Sequence, residues 1–265
     1  MPCPKQHRIR VVNTIDKAQL PSELTYTDGY VRGPDVPYPS GVLFPCSCTG
    51  DKCGHTCECM EVMCYDEDGL LCLELKQSIH ECNYLCKCSI ECPNRVVQRG
   101  ANIHMEIFRT SYKGWGARAL RPLRRGEYVC RYTGELITYE DSTLRDVDNT
   151  STYLFDLDHE ITLEDSNRFA IDAQKFGNIS HFFNHSCEPN LVIRAAYINH
   201  LDQRLHELAF FACRDVKLGE ELTFDYSPSI ALTVPSSKDD HESNETYKKF
   251  RCYCDTPRCR KVMFA

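Results

Sequence analysis

The chain has 265 residues, of which 42% are apolar and 26% charged, and its formal net charge is −7. This composition is typical of a globular protein of one or two domains with enough apolar residues to form a core without disulfides. No stretch approaches the roughly 18 consecutive apolar residues of a membrane span, and the first thirty residues contain no apolar block typical of signal peptides. The negative charge argues against a general nucleic-acid-binding protein and favours a basic partner.

Residues 1–45 are predicted to be an N-terminal segment that wraps over other structure. Prolines and glycines crowd its second half. They interrupt regular helices and strands, so an extended path over the surface is expected.

Eighteen cysteines are the unusual feature of the composition, and eleven of them lie between residues 46 and 92. Without a signal peptide, thiols are more often metal ligands than disulfides. A secreted, disulfide-rich module is the alternative. Four glycosylation-type triplets, which begin at Asn149, Asn178, Asn184 and Asn244, give it some support, although such short triplets arise by chance.

Within residues 46–93 the cysteine spacing predicts a zinc cluster. The pattern is C-x-C-x4-C-x3-C-x-C followed by C-x3-C-x-C-x3-C. Structural zinc takes four ligands, so nine thiolates can hold three ions if three sulfurs each bridge two of them. The nine predicted ligands are Cys46, Cys48, Cys53, Cys57, Cys59, Cys82, Cys86, Cys88 and Cys92. Cys64 and Cys72 fall outside the compact spacings and are interpreted as non-ligands.

From about residue 94 to residue 227 the chain is predicted to be β-rich. Short runs of strand character alternate with turn residues. These runs are Ile103–Phe108, Tyr128–Thr133, Tyr153–Leu157, Leu191–Ile198, Leu208–Cys213 and Glu221–Tyr226. Helical periodicity is limited to about Tyr139–Val147 and a turn or two near Lys175–Phe183. Residues 228–249 are mostly polar and are predicted to be a mobile linker.

The C-terminal residues 250–265 contain a second cysteine group. Cys252, Cys254 and Cys259 supply three zinc ligands, and Cys187, in a polar and turn-forming stretch, is the best candidate for the fourth. This ligand set would tie the tail to the middle of the β-rich domain. Thirteen thiolates with four zinc ions would change the formal charge from −7 to −12, which favours a basic peptide as ligand.

Four segments of the β-rich region stand out by their composition. They are Lys113-Gly-Trp-Gly116, Tyr132-Thr-Gly-Glu135, Gly177–Asn190 and Glu221-Leu-Thr-Phe-Asp-Tyr226. Each is weak evidence alone, but in this order, between two cysteine modules, they resemble the SET-domain protein lysine methyltransferases. The resemblance is narrower to the Su(var)3-9 class, which acts on lysine 9 of histone H3.

This resemblance implies a mainly β SET fold with a knot-like chain passage, in which Asn184–Asn190 packs beside Glu221–Tyr226. It divides the chain into a pre-SET zinc cluster at 46–93, a SET catalytic domain at 94–227 and a zinc-binding post-SET tail at 250–265. It also implies a nuclear chromatin protein of heterochromatin formation and gene silencing. The expected partners are the histone H3 tail and chromatin-associated proteins, without sequence-specific nucleic-acid binding or a membrane.

The cofactor that the resemblance implies is S-adenosylmethionine. Carried over by motif, its expected contacts are Lys113, Gly114, Trp115, Tyr153, Asn184, His185 and Phe264. Phe264 would give an apolar cover to the adenine. Because the cysteines hold the tail down, metal loss there should weaken cofactor binding.

The resemblance also implies the catalytic groups: Tyr226 as the principal catalytic residue and Tyr132 as a second hydroxyl that orients the lysine ε-amine. The amine must be neutral to attack, and desolvation beside a sulfonium cation favours its neutral form. An acid–base pair of Glu135 and Asp225 is an alternative, although attack by a neutral amine needs no carboxylate acid. Phe224, which leaves room beside the methylated amine, implies di- or trimethylation.

Some residues depart from the family pattern. His181 stands where many relatives carry arginine, which bears on turnover, and Val262–Met263 stand where relatives often have a larger aromatic residue. Residues 1–45 lack the pattern of a histone-reading chromodomain, so targeting depends on a partner or the chain is a fragment of a longer protein. Two functional alternatives stay open: a non-catalytic SET-like scaffold that binds histone tails, and a methyltransferase for a different lysine or protein.

Overall fold

The structure is a computed structural model that describes residues 9–54, 56–59, 62–100, 103–145, 153–157, 168–226 and 249–264. The predicted linker at 228–249 lies outside the described residues except for Lys249, which begins a strand. Among the described residues, no helix has the length and apolar character needed to cross a membrane.

The described residues form short strands, two α-helices and two 3₁₀ helices. The first strands are β1 (Arg10–Val12), β2 (Thr25–Tyr26), β3 (Val31–Arg32), β4 (Ile79–His80), β5 (Met105–Arg109), β6 (Trp115–Ala119), β7 (Tyr128–Tyr132), β8 (Glu135–Thr138) and β9 (Leu154–Asp156). The later strands are β10 (Phe169–Asp172), β11 (Phe176–Gly177), β12 (Asn184–His185), β13 (Leu191–Tyr197), β14 (Glu207–Ala212), β15 (Thr223–Phe224), β16 (Lys249–Arg251) and β17 (Val262–Phe264). The helices are α1 (Val96–Arg99) and α2 (Tyr139–Arg145), with 3₁₀ helices at Ile179–Phe182 and Gln203–Leu205. The mainly β fold class predicted from the sequence is confirmed.

Three sheets and three strand pairs make up the architecture. The sheets have the orders β1-β5-β6, β3-β8-β10-β9 and β4-β13-β14-β7, and the pairs are β2–β11, β12–β15 and β16–β17. The N-terminal segment contributes one parallel strand to each of two sheets, through β1 and β3, and one to a strand pair, through β2. It therefore runs along the edges of the β-rich region.

Strand β14 lies at the centre of the core because it is hydrogen-bonded on both sides, by β13 and by β7. Its residues Phe210 and Phe211 are fully buried on opposite faces. Burying one such ring stabilises the fold by roughly 1.5–3 kcal/mol. Phe211 packs in a second cluster with Tyr65 and Ile79 from the cysteine-rich region, so that region and the β-rich region share a core.

The segments around Asn184 and Thr223 meet in a parallel pair, β12–β15, in which Asn184 faces Thr223 and His185 faces Phe224. The buried Asn190 side chain reinforces this contact, because it donates to the Glu221 carbonyl at 2.8 Å and accepts from the Thr223 N–H at 2.9 Å. Buried amides need such partners, since an unpaired one costs about 1–3 kcal/mol. The two motifs, around Asn184 and around Thr223, are thereby brought to one place.

Candidate active site and metal sites

Nine of the eleven cysteines of residues 46–93 lie together in one cluster, which Cys64 and Cys72 do not join; seven of the nine are buried, and Cys48 and Cys59 are partly buried against them. Three groups of four have sulfur atoms within 4.8 Å of one another: Cys46, Cys53, Cys57 and Cys82; Cys46, Cys59, Cys82 and Cys86; and Cys53, Cys82, Cys88 and Cys92. Cys46, Cys53 and Cys82 each belong to more than one group, which is the sharing expected of bridging sulfurs. Cys48 packs against the cluster but belongs to none of the three groups.

All-thiolate groups of four fit zinc, which prefers tetrahedral soft-ligand sites. The surroundings also suit thiolates, because Arg95 Nε donates to Cys88 Sγ at 3.3 Å and Asn94 Nδ2 donates to Cys82 Sγ at 3.6 Å. Hydrogen bonds of this kind orient and tune metal ligands. In the part of the chain that the structure describes, every cysteine is a free thiol.

A separate group joins the tail to the β-rich region. Cys187, Cys252, Cys254 and Cys259 have their sulfur atoms within 4.8 Å of one another. The β16–β17 hairpin presents the tail cysteines, and the backbone N–H groups of Arg260 and Lys261 donate to Cys187 Sγ and Cys259 Sγ at 3.3 Å. Residues more than 60 positions apart thus form a four-thiol site that fits one tetrahedral zinc ion.

Two tyrosines, the buried Tyr132 and the partly buried Tyr226, face a cluster of aromatic rings. Tyr132 Oη donates to the Tyr153 carbonyl at 2.9 Å, and Tyr226 Oη donates to the Phe183 carbonyl at 2.8 Å. Burial raises the pKa of both tyrosines above the usual value of 10. Their hydroxyls therefore stay protonated near neutral pH and act as hydrogen-bonding groups rather than as phenolate bases.

The aromatic rings around these hydroxyls make an apolar wall. Phe224 lies 4.7 Å from Tyr226 and 5.1 Å from Phe210 between ring centroids, and Tyr132 lies 5.6 Å from Phe155. A wall of this kind can take the methylene chain of a long side chain while the hydroxyls meet its polar end.

His181 lies beside Tyr153, whose carbonyl accepts from the Tyr132 hydroxyl. Its ring stacks on Tyr153 at 4.1 Å with the planes 9° apart, and its Nδ1 lies 2.8 Å from the Ala173 carbonyl. Since a carbonyl can only accept, Nδ1 carries the proton. Burial lowers the pKa of His181, so a neutral ring stands at this position, where a guanidinium would be charged.

Lys113, Asn184 and Glu221 form a polar network at the turn before β6. Asn184 Nδ2 donates to the Trp115 carbonyl at 3.0 Å and to Glu221 Oε1 at 2.9 Å, while Lys113 Nζ pairs with Glu221 Oε2. Gly114 adopts a φ of 77°, which favours glycine. The Trp115 ring lies against the N-terminal segment, where its Nε1 donates to the Gln19 carbonyl at 3.3 Å.

This network contains a residue to which the sequence analysis assigned no role. Glu221 lies in the Glu221–Tyr226 segment, and its carboxylate joins Lys113 to Asn184. The feature of the sequence that could have indicated a role for Glu221 is its place in the same short motif as Tyr226.

His185 connects the catalytic candidates to the four-thiol site of the tail. Its Nδ1 accepts from the Tyr226 N–H at 3.2 Å, so Nε2 carries the proton and can donate to Cys187 Sγ at 3.4 Å. Desolvation, opposed by the charge of Asp225 and assisted by those of Arg260 and Lys113, lowers the pKa of His185 to about 4. The ring is therefore neutral near pH 7.

Glu135 and Asp225, the alternative acid–base pair, each pair with an arginine, and the contact expected of Phe264 stays a prediction. Glu135 pairs with Arg145 at 2.6 Å, whereas Asp225 pairs with Arg260 at 2.6 Å; the two carboxylates have separate partners rather than one another. Phe264 ends β17, and its side chain lies outside what the structure describes.

Comparison with protein-family models matches a Pre-SET motif at residues 3–95 and a SET domain at residues 114–227. The Neurospora SET domain protein DIM-5, a histone lysine methyltransferase, superimposes with a TM-score of 0.75 at 36% identity, over 82% of this chain and 94% of that structure. The chain belongs to the SET-domain histone lysine methyltransferases. The family assignment made from the four motifs is confirmed.

Other SET proteins match over nearly the whole chain. The Drosophila melanogaster histone-lysine N-methyltransferase Su(var)3-9 is 41% identical over 97% of this chain and 41% of that protein. The Schizosaccharomyces pombe H3 lysine-9 specific enzyme is 36% identical over 97% of this chain and 55% of that protein. Arabidopsis thaliana SUVH6 in complex with SAM has a TM-score of 0.77 at 31% identity, over 98% of this chain and 54% of that one. The chain spans about half the length of the two curated relatives.

Proposed function

We propose that this chain transfers methyl groups from S-adenosylmethionine to a lysine ε-amine of the histone H3 tail, with lysine 9 as the preferred position and a di- or trimethyl product. The observation that carries the proposal is the pair of protonated hydroxyls of Tyr132 and Tyr226, each of which donates to a backbone carbonyl inside an aromatic wall. The lysine-9 specificity of the S. pombe relative supports the substrate.

The two hydroxyls orient the amine. Each donates its proton to a backbone carbonyl, so each oxygen keeps lone pairs that accept N–H bonds from the substrate amine. These bonds turn the nitrogen lone pair away from the hydroxyls and toward the methyl donor. The apolar wall favours the neutral amine by desolvation. Alignment and a preset polar environment are then the main catalytic contributions.

The residues near Lys113 fit the methionine part of S-adenosylmethionine. When bound, this cofactor supplies an electrophilic methyl group on a sulfonium. Lys113 and Glu221 offer opposite charges with side chains 19% and 22% exposed, which suits an α-ammonium and an α-carboxylate. At Gly116 a Cβ would lie 2.9 Å from Glu221 Oε1, so the glycine leaves this polar surface open.

The remaining assignments complete the proposal. The residues that contact the cofactor are Lys113, Gly114, Trp115, Tyr153, Asn184, His185 and Phe264. Three zinc ions are held by the nine cysteines of the pre-SET cluster, including Cys48, and one is held by the four-thiol site of the tail. The domain boundaries stay at 46–93, 94–227 and 250–265, preceded by the wrapping segment. We propose that the protein lies in the nucleus, on chromatin, and that it binds chromatin-associated partners.

The test is a methyl-transfer assay on histone H3 tail peptides, with a peptide carrying arginine in place of lysine 9 as control. We expect label in the wild-type peptide, none in the control peptide, and a loss of at least a hundredfold in kcat for Tyr226→Phe, as removal of one oriented catalytic group typically causes. Label that survives in the control peptide would refute lysine-9 preference. Zinc-loaded, folded protein that binds H3 peptide but transfers no label would favour the scaffold.

A further inference from the structure

An ion pair holds the tail against the segment that follows β15 and carries Tyr226. The Arg260 guanidinium donates from Nη2 to Asp225 Oδ1 at 2.6 Å and from Nη1 to Oδ2 at 2.9 Å. Two parallel N–H···O bonds fix the orientation of the partners as well as their distance. The Arg260 and Asp225 side chains are 32% and 18% exposed, so water and salt weaken this pair less than an open surface pair.

Asp225 follows the last residue of β15, Phe224, and precedes Tyr226, and both of these neighbours take part in the proposed chemistry. The Tyr226 backbone N–H donates to His185 and its hydroxyl donates to the Phe183 carbonyl. Both of these contacts lie within the β-rich region. The Arg260 pair adds a contact by which the tail acts on the backbone that carries the catalytic hydroxyl.

Arg260 also contacts the four-thiol site directly. It follows Cys259 in the chain, and its own backbone N–H donates to Cys187 Sγ at 3.3 Å. The same sulfur lies 3.4 Å from His185 Nε2. Arg260 thus contacts the cysteine site with its backbone and Asp225, the neighbour of Tyr226, with its side chain.

We propose that Arg260 is a positioning residue, whose pair with Asp225 holds Tyr226 in the orientation needed for methyl transfer. Docking of the tail and assembly of the active site are then one event rather than two. A tail that only covered the cofactor would need no bidentate link to Asp225. This inference rests on the proposed function, since the orientation concerns that reaction.

The experiment compares Arg260→Gln with Arg258→Gln in the zinc-loaded protein. Both variants remove one positive charge from the same tail, but Arg258 is 86% exposed and its Nε lies 3.7 Å from Glu188. For each variant we would measure the zinc content, the KM for S-adenosylmethionine, the kcat at saturating cofactor, and hydrogen exchange of the Tyr226 amide.

We expect Arg260→Gln to keep its zinc and to lose about tenfold in kcat at saturating cofactor, with faster exchange at Tyr226, because an oriented charge-assisted bond is lost. Asp225→Asn should lose a similar factor, and the double variant should lose no more than either single one, since both act through the same contact. Arg260→Lys should recover only part of the rate, because an ammonium lacks the planar fork.

Three results would overturn the positioning role: Arg260→Gln behaving like Arg258→Gln, an effect confined to the KM for the cofactor, or losses that multiply in the double variant. The exchange measurement separates this inference from the proposed function, because it requires no turnover. Faster Tyr226 exchange in Arg260→Gln, in a protein whose wild type transfers no methyl group, would support the contact and refute the methyltransferase.

Discussion

Replacing Gly116 with alanine tests the contact between the Lys113–Gly116 turn, the proposed cofactor-binding segment, and the motif that carries Asn184. The added Cβ would lie 2.9 Å from Glu221 Oε1, 3.1 Å from Asn184 Nδ2 and 3.1 Å from Thr110 Cγ2. Glu221 cannot simply swing aside, because its carboxylate is bonded to both Lys113 and Asn184.

Relieving the close contacts of the added Cβ therefore requires breaking part of the hydrogen-bond network of Lys113, Asn184 and Glu221. Overpacking of this kind costs typically 1–3 kcal/mol, and loss of a hydrogen bond to a charged group costs about 1.5–3 kcal/mol. We expect Gly116→Ala to lower the free energy of unfolding by about 1–3 kcal/mol and to weaken S-adenosylmethionine binding by at least roughly tenfold.

The assay is urea unfolding together with calorimetric titration of the cofactor. Gly29→Ala is the matched control, since nothing lies within 4 Å of a Cβ built there and its φ is not positive. A Gly116→Ala protein with the stability and cofactor affinity of Gly29→Ala would refute the reasoning, because it would show that Glu221 and Asn184 move freely.

Three further outcomes are expected. Phe224→Tyr should shift the product toward monomethyl-lysine, because a hydroxyl would enter the space beside Tyr226; an unchanged product distribution by mass spectrometry would contradict this. Burial lowers the pKa of His181, so the free energy of unfolding should fall as the pH drops below about 6.5, where the unfolded chain takes up a proton that the folded chain does not, by up to about 1.4 kcal/mol per pH unit. In urea unfolding from pH 7 to 5, His181→Gln should lack this pH-dependent loss of stability. An identical pH slope in the variant and the wild type would exclude it. Cys252→Ser should lose the tail zinc and cofactor binding while keeping the pre-SET zinc; metal analysis showing full zinc content would reject Cys252 as a ligand.

Strands of the β-rich region differ in how far local pattern could predict them. β7 and β13 were predicted within a residue of their observed ends, because both are runs rich in aromatic, β-branched or other apolar residues. β10, with all four residues buried, was missed. A short, fully buried run has no alternation that separates a strand from a buried helical turn.

β6 was also missed, for a different reason. It contains Gly116 and two alanines, which have low strand propensity. It is a strand because it pairs along its length with β5, and such pairing is a tertiary property. In the same way, the two-residue strands of the N-terminal segment exist only as additions to sheets formed by distant residues.

The sequence by itself determined the cysteine spacings, the order of the four motifs and the tyrosine candidates, because each depends on residue types at short separations. The tertiary structure decided how distant groups meet: it brings Cys187 to the tail, as the ligand count had predicted, and it forms two side-chain contacts, Asn184 with Glu221 and Asp225 with Arg260, which the sequence did not indicate. These contacts depend on side-chain geometry across 35 to 72 positions of chain, and neither composition nor periodicity carries that geometry.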